Sequence, residues 1–213
     1  MIIKKLVTGP LQVNTYIVGD EATGDAVVID PGGQASQILQ VIESEGLTLK
    51  KIINTHAHFD HVTGVVELKE LAGVPFYLHR ADLPILESYG RQLAYFGLPA
   101  GPPPTVDGYL EEGQEIRIGE TVFRVLFTPG HTPGHVTFAH DGVSSESTGG
   151  VAFAGDVLFQ GSIGRFDFPG GDYERLMRSI REVLLLLGDD TVIYPGHGPA
   201  TTIGQEKVWN PFL

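Results

Sequence analysis

The sequence predicts an α/β fold in which two mixed sheets pack together with helices outside. Two strand-rich halves, each followed by helical segments, predict the sheets and their helices. Ligand-type side chains at the ends of several strands predict where the chemistry sits, on rigid elements at one edge of the sheet core. No stretch reads as a linker and no internal repeat is present, so residues 1–213 are expected to form one domain.

The first thirty residues read as strands at Ile2 to Val7, Val13 to Val18 and Ala26 to Asp30, with Gly9-Pro10 and Glu21 to Asp25 as turns. Gly32-Gly33 opens a helix over Ala35 to Glu45, whose apolar Ile38, Leu39, Val41 and Ile42 give it a buried face and which Gly46 stops. A buried strand ending at Asn54, a helix near Val65 to Ala72 and a strand over Pro75 to Leu78 follow. Residues 81–106 differ in character. Leu83 to Leu86 and Tyr89 to Phe96 have helical patterning, but Pro99, Gly101 and Pro102-Pro103-Pro104 break it, so the segment reads as a surface excursion over the site or a plain connector.

The second half repeats the strand-rich style at Glu115 to Ile118, Thr121 to Phe127, Val136 to Ala139 and Val151 to Ala154. Asp141 to Gly150 is a polar hairpin tip. Tyr173 to Leu187 is the strongest amphipathic helix and Thr191 to Tyr194 the last strand.

Composition removes several function classes. Of the 213 residues, 42% are hydrophobic and 19% charged, an ordinary balance for a soluble globular chain. No apolar run approaches the roughly 20 residues that span a bilayer, and Met1 to Val7 is too short and alternating for a signal peptide. A cytoplasmic protein with no membrane partner is expected. A net charge of −12 argues against a nucleic-acid surface, where Lys and Arg dominate. With no cysteine there is no disulfide, thiol nucleophile or thiolate metal site, so any metal is held by nitrogen and oxygen.

Such donors are concentrated in the string Thr-His-Ala-His-Phe-Asp-His at 55–61. Imidazole and carboxylate together are what a borderline transition metal prefers. His56 and His58 are two apart, so at a strand end they project from the same side, while Asp60 and His61 lie past the turn. The spacing favours two adjacent metals over one. A single histidine is usually an ordinary surface or core residue, so the weight rests on the rest of the chain. After the strand ending at Phe127 comes Thr-Pro-Gly-His-Thr-Pro-Gly-His at 128–135; after Val151 to Ala154 comes Gly155-Asp156; after Thr191 to Tyr194 comes Pro-Gly-His-Gly at 195–198. In each case a Gly or Pro turn presents a His or Asp.

This order resembles the metallo-β-lactamase fold superfamily over nearly the whole chain, which implies its αββα sandwich. The resemblance implies that His56, His58 and His131 bind one divalent ion and Asp60, His61 and His197 a second, with Asp156 bridging. Zinc is the first expectation, and iron or manganese also suit the donors. His135 matches a position that is not a ligand and is expected to support or structure the site behind it. His79 and His140 match nothing. Among branches of the superfamily, one lactamase class uses a cysteine ligand and another lacks the bridging aspartate. The nuclease branches carry basic surface and extra domains. The acyl-homoserine-lactone hydrolases place a tyrosine where this chain has Phe159. Gly-Ser-Ile-Gly-Arg-Phe-Asp-Phe-Pro-Gly-Gly-Asp at 161–172 and Gly-His-Gly-Pro-Ala-Thr-Thr-Ile-Gly-Gln-Glu at 196–206 resemble short bacterial hydroxyacylglutathione-hydrolase-like proteins. These lack the C-terminal helical domain that holds glutathione in the longer enzymes.

The activity this implies is hydrolysis of a small-molecule thioester of the S-D-lactoylglutathione type, or of another ester or thioester. A water between two metals would be acidified to pKa about 7 and attack the carbonyl, with Asp60 and Asp156 orienting it as ligands. Arg165 is a candidate contact for an anionic substrate group, or else a partner of Asp167 or Asp172. The chief rival is a persulfide dioxygenase using one iron, which shares Gly-Arg-x-Asp-Phe but tends to carry a cysteine at the position of His135. A non-catalytic metal-binding protein is a second rival, and seven donor residues exceed what a closed structural site uses.

Overall fold

Alternating runs of β-branched and aliphatic residues form strands throughout the computed structural model, which describes residues 1–99, 101–141 and 149–213. The chain divides into two compact units, Met1–Leu110 with Arg117–Val122, and Glu111–Ile116 with Phe123–Leu213.

The first unit is built on six strands in sequential order: β1 (Ile2–Thr8), β2 (Val13–Gly19), β3 (Asp25–Ile29), β4 (Thr48–Ile53), β5 (Phe76–His79) and β6 (Gly108–Leu110). β1, β2 and β3 pair antiparallel through short turns, whereas β3 to β6 run parallel because helices carry the chain back between them. α1 (Ala35–Ser44) joins β3 to β4 and buries Ala35, Ile38 and Ile42, one stripe at helical spacing. α2 (Phe59–Val62) and α3 (Val65–Ala72) join β4 to β5, and α4 (Leu83–Glu87) and α5 (Tyr89–Tyr95) join β5 to β6. Every residue of β2 is buried, as expected of a strand covered on both faces, and full burial of a Val or Ile side chain is worth about 1.5–3 kcal/mol.

The second unit holds β9 (Val136–His140), β10 (Val151–Gly155), β13 (Val192–Pro195), β14 (Thr201–Thr202) and, from Phe123 on, β8 (Thr121–Phe127), with β7 (Glu115–Ile118) on the edge of the same sheet. The strand order is β14-β13-β10-β9-β8-β7, and β10 and β13 are its parallel pair. A separate hairpin, β11 (Leu158–Phe159) with β12 (Ser162–Ile163), follows β10 directly. α6 (Tyr173–Arg178) and α7 (Ile203–Trp209) complete the unit. The tip expected at 141–150 joins the antiparallel pair β9–β10, and its residues 142–148 lie outside the described residues.

Two segments depart from the sequence reading. The helix expected over Tyr173 to Leu187 is α-helical only to Arg178, then widens into a π-turn over Ser179–Val183 and tightens into a 3-10 turn over Leu184–Leu186. Five consecutive apolar residues from Val183 cannot share one face of a regular helix. The changed pitch buries Leu184 and leaves Leu186 76% exposed. The segment after Thr202, read only as part of a motif, forms α7. Thr202 caps it by accepting from Gln205 N, with Gln205 at the capping-box position.

Candidate metal centre

In the first unit the donor string begins where β4 ends. Asn54 turns the chain, its Nδ2 donating to the carbonyl of His61 at 2.7 Å, so that the two ends of the string are tied together. His58 is extended and precedes α2, so Asp60 and His61 ride on the first helical turn. The rings of His56 and His58 lie 4.9 Å apart, those of His56 and His61 4.0 Å, and His61 Nε2 is 3.7 Å from Asp60 Oδ2. All four predicted donors of the string are therefore brought together.

Behind them sits Asp30, which the sequence reading took as a strand end. It is 2% exposed, has a left-handed backbone (φ 51°), and accepts from Thr55 N at 2.8 Å and Thr55 Oγ1 at 2.7 Å. His61 Nδ1 lies 3.1 Å from its Oδ2. The carboxylate can only accept, so His61 carries its proton on Nδ1 and keeps the Nε2 lone pair for another partner. Thr55 spends its proton on Asp30, so its oxygen accepts from His56 Nδ1 at 3.0 Å, which fixes the same tautomer there. Oxygens of Asp30 lie within 4.8 Å of the ring nitrogens of His56 and His61, but their hydrogen bonds make Asp30 a support for the donors. Its signal was the one used elsewhere, an acidic residue at a strand end before Pro31-Gly32.

In the second unit His131, Asp156 and His197 follow β8, β10 and β13, as the strand-end pattern predicts. Asp156 Oδ2 is 3.6 Å from His131 Nε2 and 3.7 Å from His197 Nε2, so one carboxylate oxygen faces two imidazoles. His131 Nδ1 donates to the carbonyl of Arg165 at 2.7 Å, again leaving Nε2 as the lone-pair nitrogen. His135 is fully buried and uses both ring nitrogens. Its Nε2 accepts from Asp156 N at 3.1 Å, so its Nδ1 carries the proton and faces Thr128 Oγ1 at 3.0 Å. It holds the backbone of Asp156 and has no nitrogen left for a metal.

Two glycines permit this arrangement. A Cβ on Gly164 would lie 1.8 Å from the carbonyl oxygen of Asp156, and one on Gly130 (φ +135°) would lie 2.2 Å from Leu176 N within α6. Arg165, the candidate substrate contact, pairs with Asp167 through two bonds of 2.9 and 2.8 Å and lies over the Phe168 ring at 3.9 Å. Its backbone carbonyl, which no side-chain pattern could signal, is what reaches His131. His79 Nδ1 accepts from Ala81 N at the start of a 3-10 turn.

The excursion after β5 packs against the string. Asp82 Oδ2 accepts from Ala57 N at 2.9 Å, Gln92 Oε1 accepts from Phe59 N at 3.0 Å, and the Phe96 ring lies 4.8 Å from that of Phe59. No motif marks these residues.

The sequence profile of the Metallo-beta-lactamase superfamily matches residues 8–197. The chain belongs to this superfamily. It is 44% identical over 209 residues to a hydroxyacylglutathione hydrolase, GloC, of Haemophilus influenzae, covering 95% of this chain and 93% of that one. Among solved structures it resembles BLEG-1, a B3 metallo-beta-lactamase, with a TM-score of 0.87 and 38% identity over 100% of this chain and 99% of the other. It also resembles TTHA1623 in a di-iron-bound form, with a TM-score of 0.84 and 42% identity over 99% of this chain and 100% of that one. The two mixed sheets with helices are thus a metallo-β-lactamase fold, and the chain is a metallo-hydrolase of that fold. Its His and Asp donors, with three imidazoles fixed as Nε2 donors, suit divalent ions of the zinc, iron and manganese kind. Among the described residues no helix is long and apolar enough to cross a membrane.

Proposed function

We propose that the chain hydrolyses small-molecule thioesters at a centre of two divalent ions. His56, His58 and His131 hold one, Asp60, His61 and His197 hold the other, and Asp156 bridges them. The observation that carries this is the position of Asp156 Oδ2 between His131 Nε2 and His197 Nε2, which suits a carboxylate shared by two ions. When bound, such ions lower the pKa of a shared water to about 7 and polarise a carbonyl oxygen. The chain's own work is to hold donors in place: Asp30 and Thr55 fix two imidazoles, the Arg165 carbonyl fixes a third, and His135 fixes the Asp156 backbone. A thiolate leaving group, with pKa about 8.5, departs without a strong acid, which agrees with the lack of any assigned acid.

The similarity to a hydroxyacylglutathione hydrolase supports a thioester, and that to a protein solved with two irons supports two metals that need not be zinc. The test joins elemental analysis of metal-replete protein to a substrate panel of S-D-lactoylglutathione, other thioesters, a chromogenic cephalosporin and glutathione persulfide. Two metals per chain with turnover of a thioester are expected. One iron with oxygen consumption and sulfite formation would replace this reading with the dioxygenase, and turnover of the cephalosporin alone would replace it with a lactamase.

A further inference from the structure

The backbone N–H groups at positions 57 and 59 alternate with the donors at 56, 58 and 60, and side chains from the excursion accept both. Asp82, fully buried, accepts from Ala57 N at 2.9 Å, and Gln92 accepts from Phe59 N at 3.0 Å. A hydrogen bond to a peptide N–H fixes the plane of that peptide and with it the direction of the side chains on either side. The Ala57 N–H belongs to the peptide that joins His56 to Ala57, so its plane sets the direction of His56. The Phe59 N–H belongs to the peptide that joins His58 to Phe59 at the entry to α2, so its plane sets the direction of His58.

The second contact satisfies one of the N–H groups that a helix N-terminus leaves without a partner in the helix. The residue before a helix is most often Ser, Thr, Asp or Asn, whose side chain caps the first turn. Here that residue is His58, and its side chain makes no capping bond. A histidine kept for a metal does not cap, and Gln92, from α5, accepts the unpaired N–H of the first helical residue, Phe59. Its amide has one usable orientation, because Nε2 donates to Ile85 O at 2.9 Å and Ser88 Oγ at 3.0 Å, which turns Oε1 toward Phe59. Ser88 Oγ donates to the same Ile85 carbonyl at 2.7 Å, so Ser88 is left to accept from Gln92. One turn beyond Gln92, Phe96 rests on the Phe59 ring.

We infer that Asp82 and Gln92 are positioning residues that aim the two imidazoles of one ion. Asp82 aims His56 through the His56–Ala57 peptide, and Gln92 aims His58 through the His58–Phe59 peptide. This rests on the two-metal reading above. The excursion between β5 and β6 is then the rear wall of the metal centre.

The test is a cobalt(II) titration of the metal-free full-length chain, followed by visible absorption and by competition with a chelator. Loss of such an outer partner typically lowers metal affinity about 10- to 100-fold. Gln92→Leu is expected to weaken one of two cobalt equivalents by that factor and leave the other unchanged. In an Asp60→Ala background, which removes a donor to the other ion, Gln92→Leu and Asp82→Ala should each still weaken the remaining ion. Asp82→Asn keeps an acceptor oxygen and should bind nearly as the parent does, which covers the case in which Asp82→Ala fails to fold. Near-ultraviolet circular dichroism of the metal-free variants reports packing independently of metal. Equal weakening of both equivalents by Gln92→Leu, no weakening at all, or an Asp82→Asn protein as weak as Asp82→Ala would overturn the inference. Binding of a single equivalent by the parent chain would instead overturn the two-metal reading itself.

Discussion

Asp30 accepts the Nδ1 proton of His61 across 3.1 Å and accepts both polar hydrogens of Thr55, the residue that orients His56. One buried carboxylate, on a backbone twisted to φ 51°, therefore sets the tautomer of two donors assigned to different ions.

Replacing Asp30 by Ala should strand those donors in the interior. Each buried donor left unsatisfied costs about 1–3 kcal/mol, so a clear loss of metal-free stability is expected in urea unfolding. Metal affinity should fall about 10- to 100-fold for both ions, since both imidazoles lose their orientation. A metal-free midpoint equal to that of the parent would count against the network.

Asp156→Ala removes the oxygen that faces His131 and His197. Thioester turnover should fall by more than the roughly 100-fold upper figure typical of outer partners, with metal content dropping below two per chain. Steady-state kinetics and elemental analysis check this together. Turnover at the parent rate would remove the bridging role.

Gly161 and Gly164 flank β12 and should respond differently to alanine. At Gly164 the added Cβ would sit 1.8 Å from the Asp156 carbonyl, a backbone clash that neither partner can relieve by a rotamer change. At Gly161 the space is open and only the left-handed backbone (φ +67°) resists, at a cost of about 1–2 kcal/mol. Gly161→Ala should fold and retain turnover, whereas Gly164→Ala should lose metal binding. Similar behaviour of the two variants would deny the close approach.

Asp20 offers a pH test remote from the donors. Its carboxylate accepts from the Thr121 hydroxyl, the largest effect, and also from Thr121 N, Thr23 N and the Thr23 hydroxyl, and its pKa is lowered from 3.8 to about 2. A folded pKa below the unfolded one gives stability that is fully present above about pH 4 and is lost as pH falls through about 2. The stability difference between the parent and Asp20→Asn should be constant above pH 4 and vanish near pH 2 in denaturant titrations. A difference independent of pH would mean that the bonds do not favour the charged form.

Much of the donor set was legible because it obeys a local rule: a strand ends, a Gly or Pro turns the chain, and a His or Asp follows. His131, Asp156 and His197 could be read by that rule, and so could Asp30, had it been applied to the first half as well. The supports could not. Asp82 and Gln92 act through a 25- and a 33-residue separation in chain that carries no motif, and Arg165 acts through a backbone atom that every residue possesses. The helix after Tyr173 was misjudged for a different reason. Its apolar run obeys no single period, and packing around Leu184 decided its pitch.

The motif around residue 206 contributes through Glu206, which is 2% exposed and accepts from Gly161 N at 2.8 Å, Thr201 Oγ1 at 2.5 Å and Asn210 Nδ2 at 2.8 Å. Asn210 also donates to Ser162 O at 3.0 Å, so α7 pins the β11–β12 hairpin that follows Asp156. The pins are made some 45 residues after the hairpin they hold. At roughly 5–20 residues per second, a ribosome delivers them about 2 to 9 seconds after Gly161. Through that interval the nascent chain carries Asp156 beside a hairpin not yet anchored, so the segment that follows this carboxylate gains its fixed place only late in the birth of each molecule.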